Sequence, residues 1–569
     1  MTRKRGFPSL NLTRRGLITS SVGLAAASSL TVPAWAKPLR HKHAAKGFGD
    51  LSGEDIHLTI DRHMFGTGGR SGHAIAVNDT IPGPLIRLRE GQDVRLHVTN
   101  NLDEDSSIHW HGLLLPFQFD GVPGVSFPGI KPGQTFTYEF PIRQTGTYWW
   151  HSHSGLQEQS GHYGPIVIES SDPDPRYDRN YVVMLSEFTP IHPHLIARKL
   201  KLGEHYFNRQ MQTATKGEMS GEMRRMWAQM RMNPRDIADV SAPAYTYLIN
   251  GHGPDDNLEL AFNPGERVRL RVINGSAMTF FNMRIPGVPM TVIAADGQEV
   301  DGIEVDEFQI GTAETYDVIV APPDGSHALV AESMDRSGMG VASLTSHAGH
   351  IASPPALRET PTLTMADMGM GGHAMHGDGA MQHNMRDTSV LPPDVEVSPG
   401  LDMVSPMPMD RMDFPGLGLD KVDHRVLRYT DLKAKRMNPH REIEREMEIH
   451  LTGNMERYMW SLDGKKFSAV TDNPIRFEYD ERVRVKLVND TMMAHPIHLH
   501  GHFFEMVNGA DHMHQPLKHT MIVQPGGTAT FDLTANEPGD WAFHCHLLYH
   551  MHAGMMQVVT VRPFPQENA

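Results

Sequence analysis

The chain reads as an all-β protein of three Greek-key β-sandwich domains in tandem, and its internal repeats predict this. Gly91-Gln-Asp-Val-Arg-Leu-His-Val-Thr-Asn100, Gly265-Glu-Arg-Val-Arg-Leu-Arg-Val-Ile-Asn274 and Asp480-Glu-Arg-Val-Arg-Val-Lys-Leu-Val-Asn489 share a turn, an alternation of apolar and polar residues, and a closing Asn. A period of two is that of a strand with one buried face. A second element follows each copy: Lys131–Phe140, Ile310–Ile319 and Gln524–Leu533. Short strands separated by Gly, Pro and Asn turns favour sandwiches, and 569 residues are enough for three or four domains. The boundaries fall near residues 50–172, 178–350 and 425–563.

The first 36 residues stand outside this plan. Arg3, Lys4, Arg5, Arg14 and Arg15 precede a run of apolar and small residues from Gly16 to Val32, and Ala34-Trp35-Ala36 supplies a small-x-small cleavage site. The Arg14-Arg15 pair resembles a twin-arginine signal, so export to the periplasm by that route is expected. The whole chain carries 52 basic and 67 acidic side chains, a formal charge of -15. Removing the signal takes away basic groups and no acidic one. Such a surface argues against binding nucleic acid or anionic lipid. No later stretch reaches about 18 consecutive apolar residues, so no membrane span is expected.

Two segments interrupt the repeats. Residues 195–240 contain Met211, Met219, Met223, Met226, Met230 and Met232 and are expected to form helix and loop within the second domain. Residues 351–424 are rich in Gly, Pro and Asp with few aromatics, which predicts a long mobile linker without a core of its own. Within it, Met365, Met368, Met370, Met375, Met381 and Met385 accompany His373, His376 and His383. Over the whole chain His (35) and Met (36) together outnumber Phe (22), Tyr (13) and Trp (7). Core packing does not call for that excess, whereas imidazole and thioether are both copper ligands.

The chemistry follows the repeated elements directly. The first domain has His109-Trp-His111 and His151-Ser-His153; the third has His498-Leu-His500 and His544-Cys-His546 at the equivalent places. Residues i and i+2 of a strand face one side, so each pair aims two imidazoles together. Four such pairs, two per domain, imply a polynuclear metal site between the first and third domains. The residue between the paired His points the other way. There the first domain has Ser152 and the third has Cys545, the only thiol in the chain, which excludes an internal disulfide. His550 and Met555 follow at i+5 and i+10, and His495 precedes His498 by three. Two imidazoles, a thiolate and a weak axial thioether make a blue-copper electron-transfer set, whereas structural zinc sites do without Met. The second domain has Ser276, Met278 and Phe280 at the matching places and reads as a copper-free spacer.

With these residues in view, the chain resembles the multicopper oxidases, and more narrowly the copper-resistance protein A family. The narrower likeness rests on Met230–Val240, Gly453–Ser461 and Asn489–Gly501, and it spans about residues 45–563. The resemblance implies three cupredoxin-like domains and four copper ions. His495, Cys545, His550 and Met555 would hold the type 1 copper, His109 and His498 the type 2 copper, and His111, His151, His153, His500, His544 and His546 the two type 3 coppers. It also implies catalytic roles for Cys545 and for Asp120, which matches an acid that relatives place near the cluster. Some relatives carry a second acid just after the last type 1 His, but Met551 and His552 stand there in this chain.

The function expected is an exported oxidase that couples one-electron oxidation of Cu(I) to four-electron reduction of O2 to water, serving copper resistance. A laccase-like oxidase of phenols or aromatic amines and a non-enzymatic copper-sequestering protein are the alternatives. Storage does not require a Cys between two cluster His. The partners expected are O2, Cu(I) or a small phenolic donor, and periplasmic copper-handling proteins.

Overall fold

The computed structural model describes residues 42–172, 174, 176–211, 220–368, 385–467 and 474–563. The expected signal, residues 1–36, lies outside them, as do Met219, Met370, Met375, Met381, His373, His376 and His383. Residues His43–Ala569 form one compact unit.

Among the described residues six sheets arranged in three pairs build this unit, each pair joining a longer sheet to a five-stranded one. Ten strands position the site. In the first domain these are β1 (Asp93–Asn100), β2 (His109–His111), β3 (Thr135–Pro141) and β4 (Gly146–His151). The second domain contributes β5 (Val268–Asn274) and β6 (Thr315–Val320), and the third β7 (Arg482–Asn489), β8 (His495–Leu499), β9 (Gly527–Thr534) and β10 (Gly539–Cys545). In every domain the first repeated element pairs antiparallel with the second: β1 with β3, β5 with β6, and β7 with β9. Alternation along β1 buries Val94, Leu96 and Val98 in the first sandwich, and β7 does the same with Val483, Val485 and Leu487 in the third.

The closing Asn of each repeat is a buried latch. Asn100 Nδ2 donates to the carbonyls of Glu104 and Ile130, both at 2.8 Å. Asn274 Nδ2 donates to Thr279 and Ile310, and Asn489 Nδ2 to Met493 and Val523, at 2.7–3.0 Å. Each Oδ1 accepts from the backbone N–H two residues on. A buried amide with its donors and acceptor filled fixes the loop that enters the following strand. In the first and third domains that strand is β2 or β8, which carries the imidazoles.

Two helices, α1 (Pro193–Leu200) and α2 (Gly221–Met230), occupy the interruption of the second domain, as helix and loop were expected to. The described parts of 351–424 differ from the expected linker. Leu363, Met368, Val395, Val404, Met412 and Leu419 are buried, residues Met409–Asp410 pair with β9, and Arg358 bridges Glu307 and Glu332. The apolar residues lie at irregular intervals among Pro and Gly, so they form no element of their own. They nevertheless bury side chains against the sandwiches.

Candidate metal centre

The register of β2 against β4 sets His109 opposite His151, and that of β8 against β10 sets His498 opposite His544. The two domains therefore present imidazoles in the same arrangement, and all eight meet across their boundary. The His109 and His500 rings stack at 3.8 Å, as do those of His111 and His498. His153 Nε2 lies 3.4 Å from His544 Nε2, and His151 Nε2 lies 3.3 Å from His546 Nε2.

Hydrogen bonding settles which nitrogens carry protons. His500 Nδ1 bonds to Asp120 Oδ2 at 2.8 Å and His544 Nδ1 to Cys545 O at 2.9 Å, so both Nδ1 atoms are N–H donors. Their Nε2 atoms then meet lone pair to lone pair at 3.0 Å. A cation between them removes that repulsion. His109 Nδ1 likewise bonds to Asp120 O and His498 Nδ1 to His519 O. This leaves His109 Nε2 and His498 Nε2, together with His111 Nδ1, buried without a hydrogen-bond partner among the described residues. Burial holds His111, His151, His153, His498, His500 and His546 well below the usual imidazole pKa, and His544 at about 4. Neutral imidazoles aiming free lone pairs at one another fit bound metal ions, and all-imidazole sets suit copper.

A second donor set lies on the other side of β10. Cys545 Sγ is 3.5 Å from His495 Nδ1 and 3.9 Å from His550 Nδ1, and these nitrogens are 3.2 Å apart. Thr491 Oγ1 holds His495 Nε2 at 2.7 Å. His550 sits on α3 (Leu548–Ala553) with the Trp460 indole stacked on its ring at 3.9 Å. Met555 is fully buried; its carbonyl accepts the Cys545 N–H and its own N–H bonds to His550 O. Burial pushes the Cys545 thiol up, so a thiolate here requires a cation beside it. Soft sulfur with two imidazoles is a copper set.

Three multicopper oxidase domain profiles match this chain, at residues 61–173, 198–350 and 440–565. The chain is 44% identical to a copper resistance protein A homolog of Pseudomonas syringae pv. tomato, over 96% of this chain and 99% of that one.

The chain belongs to the multicopper oxidase family.

It is also 42% identical to copper resistance protein A of Escherichia coli, over 96% of this chain and 98% of that one. Among solved structures, its fold is similar to a laccase from Botrytis aclada, with a TM-score of 0.62 at 21% identity, covering 91% of this chain and 88% of that one.

In this multicopper oxidase the second domain uses the matching positions for packing. Ser276 Oγ bonds to Asn274 Oδ1, and Met278 and Phe280 are buried. Asp120 is buried between the two imidazole domains, its backbone carbonyl on His109 and its carboxylate on His500. His552 is exposed and faces His194, with ring centroids 6.3 Å apart, rather than the buried imidazoles.

Several residues that serve the site escaped the sequence reading. Asp239, buried in the second domain, accepts from His550 Nε2 at 2.9 Å and from Tyr458 Oη at 2.6 Å. Met230–Val240, quoted only for its family likeness, contained it. Trp149 stacks on His151 at 4.3 Å, and His519 groups with His111 and His498, its imidazole lowered by burial to about 4. Glu158 Oε2 lies 2.7 Å from His151 Nδ1; burial, then Glu187, raises its carboxyl well above the usual range. Near Asp239 the oxidase also gathers thioethers. Met232, Met334, Met365, Met368, Met455 and Met492 share one apolar cluster, and Met334 and Ile237 of that cluster line a small cavity with Asp239 and Met493.

Proposed function

We propose that this multicopper oxidase is an exported cuprous oxidase. It takes single electrons from Cu(I) and passes four of them to O2, so that 4 Cu(I), O2 and 4 H+ give 4 Cu(II) and 2 H2O. The observation that carries the reading is Cys545, which belongs to the sulfur set and is flanked in the chain by His544 and His546 of the imidazole cluster. One thiol thus joins the two sets through a short covalent path, an arrangement that metal storage does not need.

Bound copper would supply one-electron redox steps at the sulfur set and an electron store for O2 at the imidazole cluster. In this reading His495, Cys545, His550 and Met555 hold a type 1 copper, and His109 and His498 a type 2 copper. His111, His151, His153, His500, His544 and His546 hold the type 3 pair. The chain's own groups do the rest. Thr491 and Asp239 turn the Nδ1 atoms of His495 and His550 toward the thiol. Asp120 fixes the tautomers of His109 and His500 and is the acid proposed to hold a proton beside the cluster. Burial of these rings, complete but for the half-buried His153, keeps bulk water from the reacting atoms.

Thioethers favour Cu(I). The cluster of Met232, Met334, Met455 and Met492, of which Met334 lines a cavity with Asp239, therefore supports Cu(I) as donor over a phenol. Export to the periplasm by the Arg14-Arg15 signal completes the proposal, with periplasmic copper-handling proteins supplying the metal. Among the described residues no helix is long and apolar enough to cross a membrane. The test is O2 uptake by fully metallated protein with Cu(I) and with a phenol on the same sample. The proposal expects a larger kcat/KM for Cu(I); a larger value for the phenol contradicts it.

A further inference from the structure

His151 is held unlike its counterpart in the third domain. His544 Nδ1 bonds to the carbonyl of the next residue, Cys545, at 2.9 Å. His151 Nδ1 bonds to the equivalent carbonyl, Ser152 O, at 3.2 Å and in addition has Glu158 Oε2 at 2.7 Å. Glu158 is 2% exposed, and among the described residues its ion-pair partner is His151 alone. Among the described residues neither Lys nor Arg compensates it.

Its placement is built rather than incidental. Glu158 opens a tight turn over Glu158–Ser160, and both neighbours are anchored. Gln157 Oε1 accepts from Ser106 Oγ at 2.7 Å and from Ser152 Oγ at 2.9 Å, while Gln157 Nε2 donates to Asp105 O. Gln159 accepts from Tyr245 Oη. Gly161 ends the turn at φ 109°, and a Cβ there would meet Ile81 Cδ1 at 2.8 Å. Burial and the neighbouring Glu187 raise this carboxyl, and the group in contact with it is the His151 ring. The other nitrogen of that ring, His151 Nε2, lies 3.3 Å from His546 Nε2 in the imidazole cluster.

We propose that Glu158 is a positioning residue, the outer carboxyl partner of the type 3 pair. Through Nδ1 it holds His151 with Nε2 toward the metal site. A carboxylate behind a ligating His tunes metal affinity in this way. The inference rests on the type 3 assignment given above.

The test compares copper-loaded Glu158→Gln, which keeps size but replaces the carboxyl by an amide, with Glu158→Asp, which keeps the carboxyl. After dialysis against a chelator, Glu158→Gln should lose copper about 10- to 100-fold more readily than the parent, and uncoupled copper should appear in its electron paramagnetic resonance spectrum. The blue band should be unchanged, which reports a folded third domain. Glu158→Asp should retain more copper than Glu158→Gln. Parent-like copper retention in Glu158→Gln, or the reverse order of the two variants, overturns the proposal. A parent protein that binds no coupled copper pair counts instead against the function proposed above.

Discussion

Asp239 Oδ2 accepts a hydrogen bond from His550 Nε2 at 2.9 Å and a second from Tyr458 Oη at 2.6 Å, so a second-domain carboxylate fixes the orientation of a third-domain imidazole. The bond makes Nε2 the donor and leaves the Nδ1 lone pair facing Cys545. Asp239 also lines the small cavity shared with Met334, which places it between the thioether cluster and the sulfur set.

Replacing Asp239 should therefore act at the electron entrance. Asp239→Ala is expected to slow anaerobic reduction of the blue band by Cu(I) about 10- to 100-fold, the usual cost of losing an outer partner of a metal-binding His. Stopped-flow absorbance measures this directly. Reoxidation of the reduced protein by O2 should stay within about twofold of the parent; a comparable loss there would place Asp239 at the wrong step.

Cys545 is the chain's single thiol, so colour depends on it alone. Purified copper-loaded protein should be blue, and Cys545→Ser should lose the band and turnover while keeping its cooperative unfolding transition. A visible band that survives the substitution would remove the sulfur-set assignment.

The thioether cluster yields a substitution that preserves volume. Changing Met232, Met334 and Met455 together to Leu keeps the packing, at a cost usually below about 1.5 kcal/mol per site, but removes the thioether sulfurs. Steady-state kinetics should show a raised KM for Cu(I) with phenol oxidation unaffected. Equal changes for both donors would mean that the cluster only packs. Deleting residues 365–385 would be a poorer experiment, because Met368 is 1% exposed and its loss would leave a void.

Glu187 gives a pH dependence of stability. Burial raises its carboxyl to about 8, even though Oε1 accepts the N–H groups of Ala277 and Met278. A carboxyl whose pKa is higher in the folded state contributes fully below its unfolded value, about 4.5, and that contribution is lost as pH rises toward the folded value. Glu187→Gln lacks this titration. Its Tm relative to the parent should therefore increase steadily from pH 5 to pH 8, and a constant or falling difference in thermal scans would refute the assignment.

The parts of the site legible in the sequence were those that strand geometry forces. His109/His111 and His498/His500 lie on strands entered through the buried Asn100 and Asn489 latches, so their spacing in sequence is their spacing on one face. Asp239, Glu158 and Trp460 escaped because each reaches the site from another turn or strand, at no fixed offset from the residue it touches. The described parts of 351–424 depart from the linker expectation for a related reason. Leu363, Val404 and Leu419 are buried by the surfaces they cross, and nothing periodic in their own sequence announces it.

The central claim is that the sulfur set of the third domain and the imidazoles contributed by the first serve one electron path. His153 belongs to the first domain, and its Nε2 lies 3.4 Å from His544 Nε2, next to Cys545 in the chain. The decisive measurement is paired kinetics on copper-loaded His153→Ala: anaerobic reduction of the blue band by donor, and O2 consumption with the same donor. The account predicts that reduction proceeds at the parent rate while O2 consumption falls by at least about 100-fold. O2 consumption at the parent rate would contradict it.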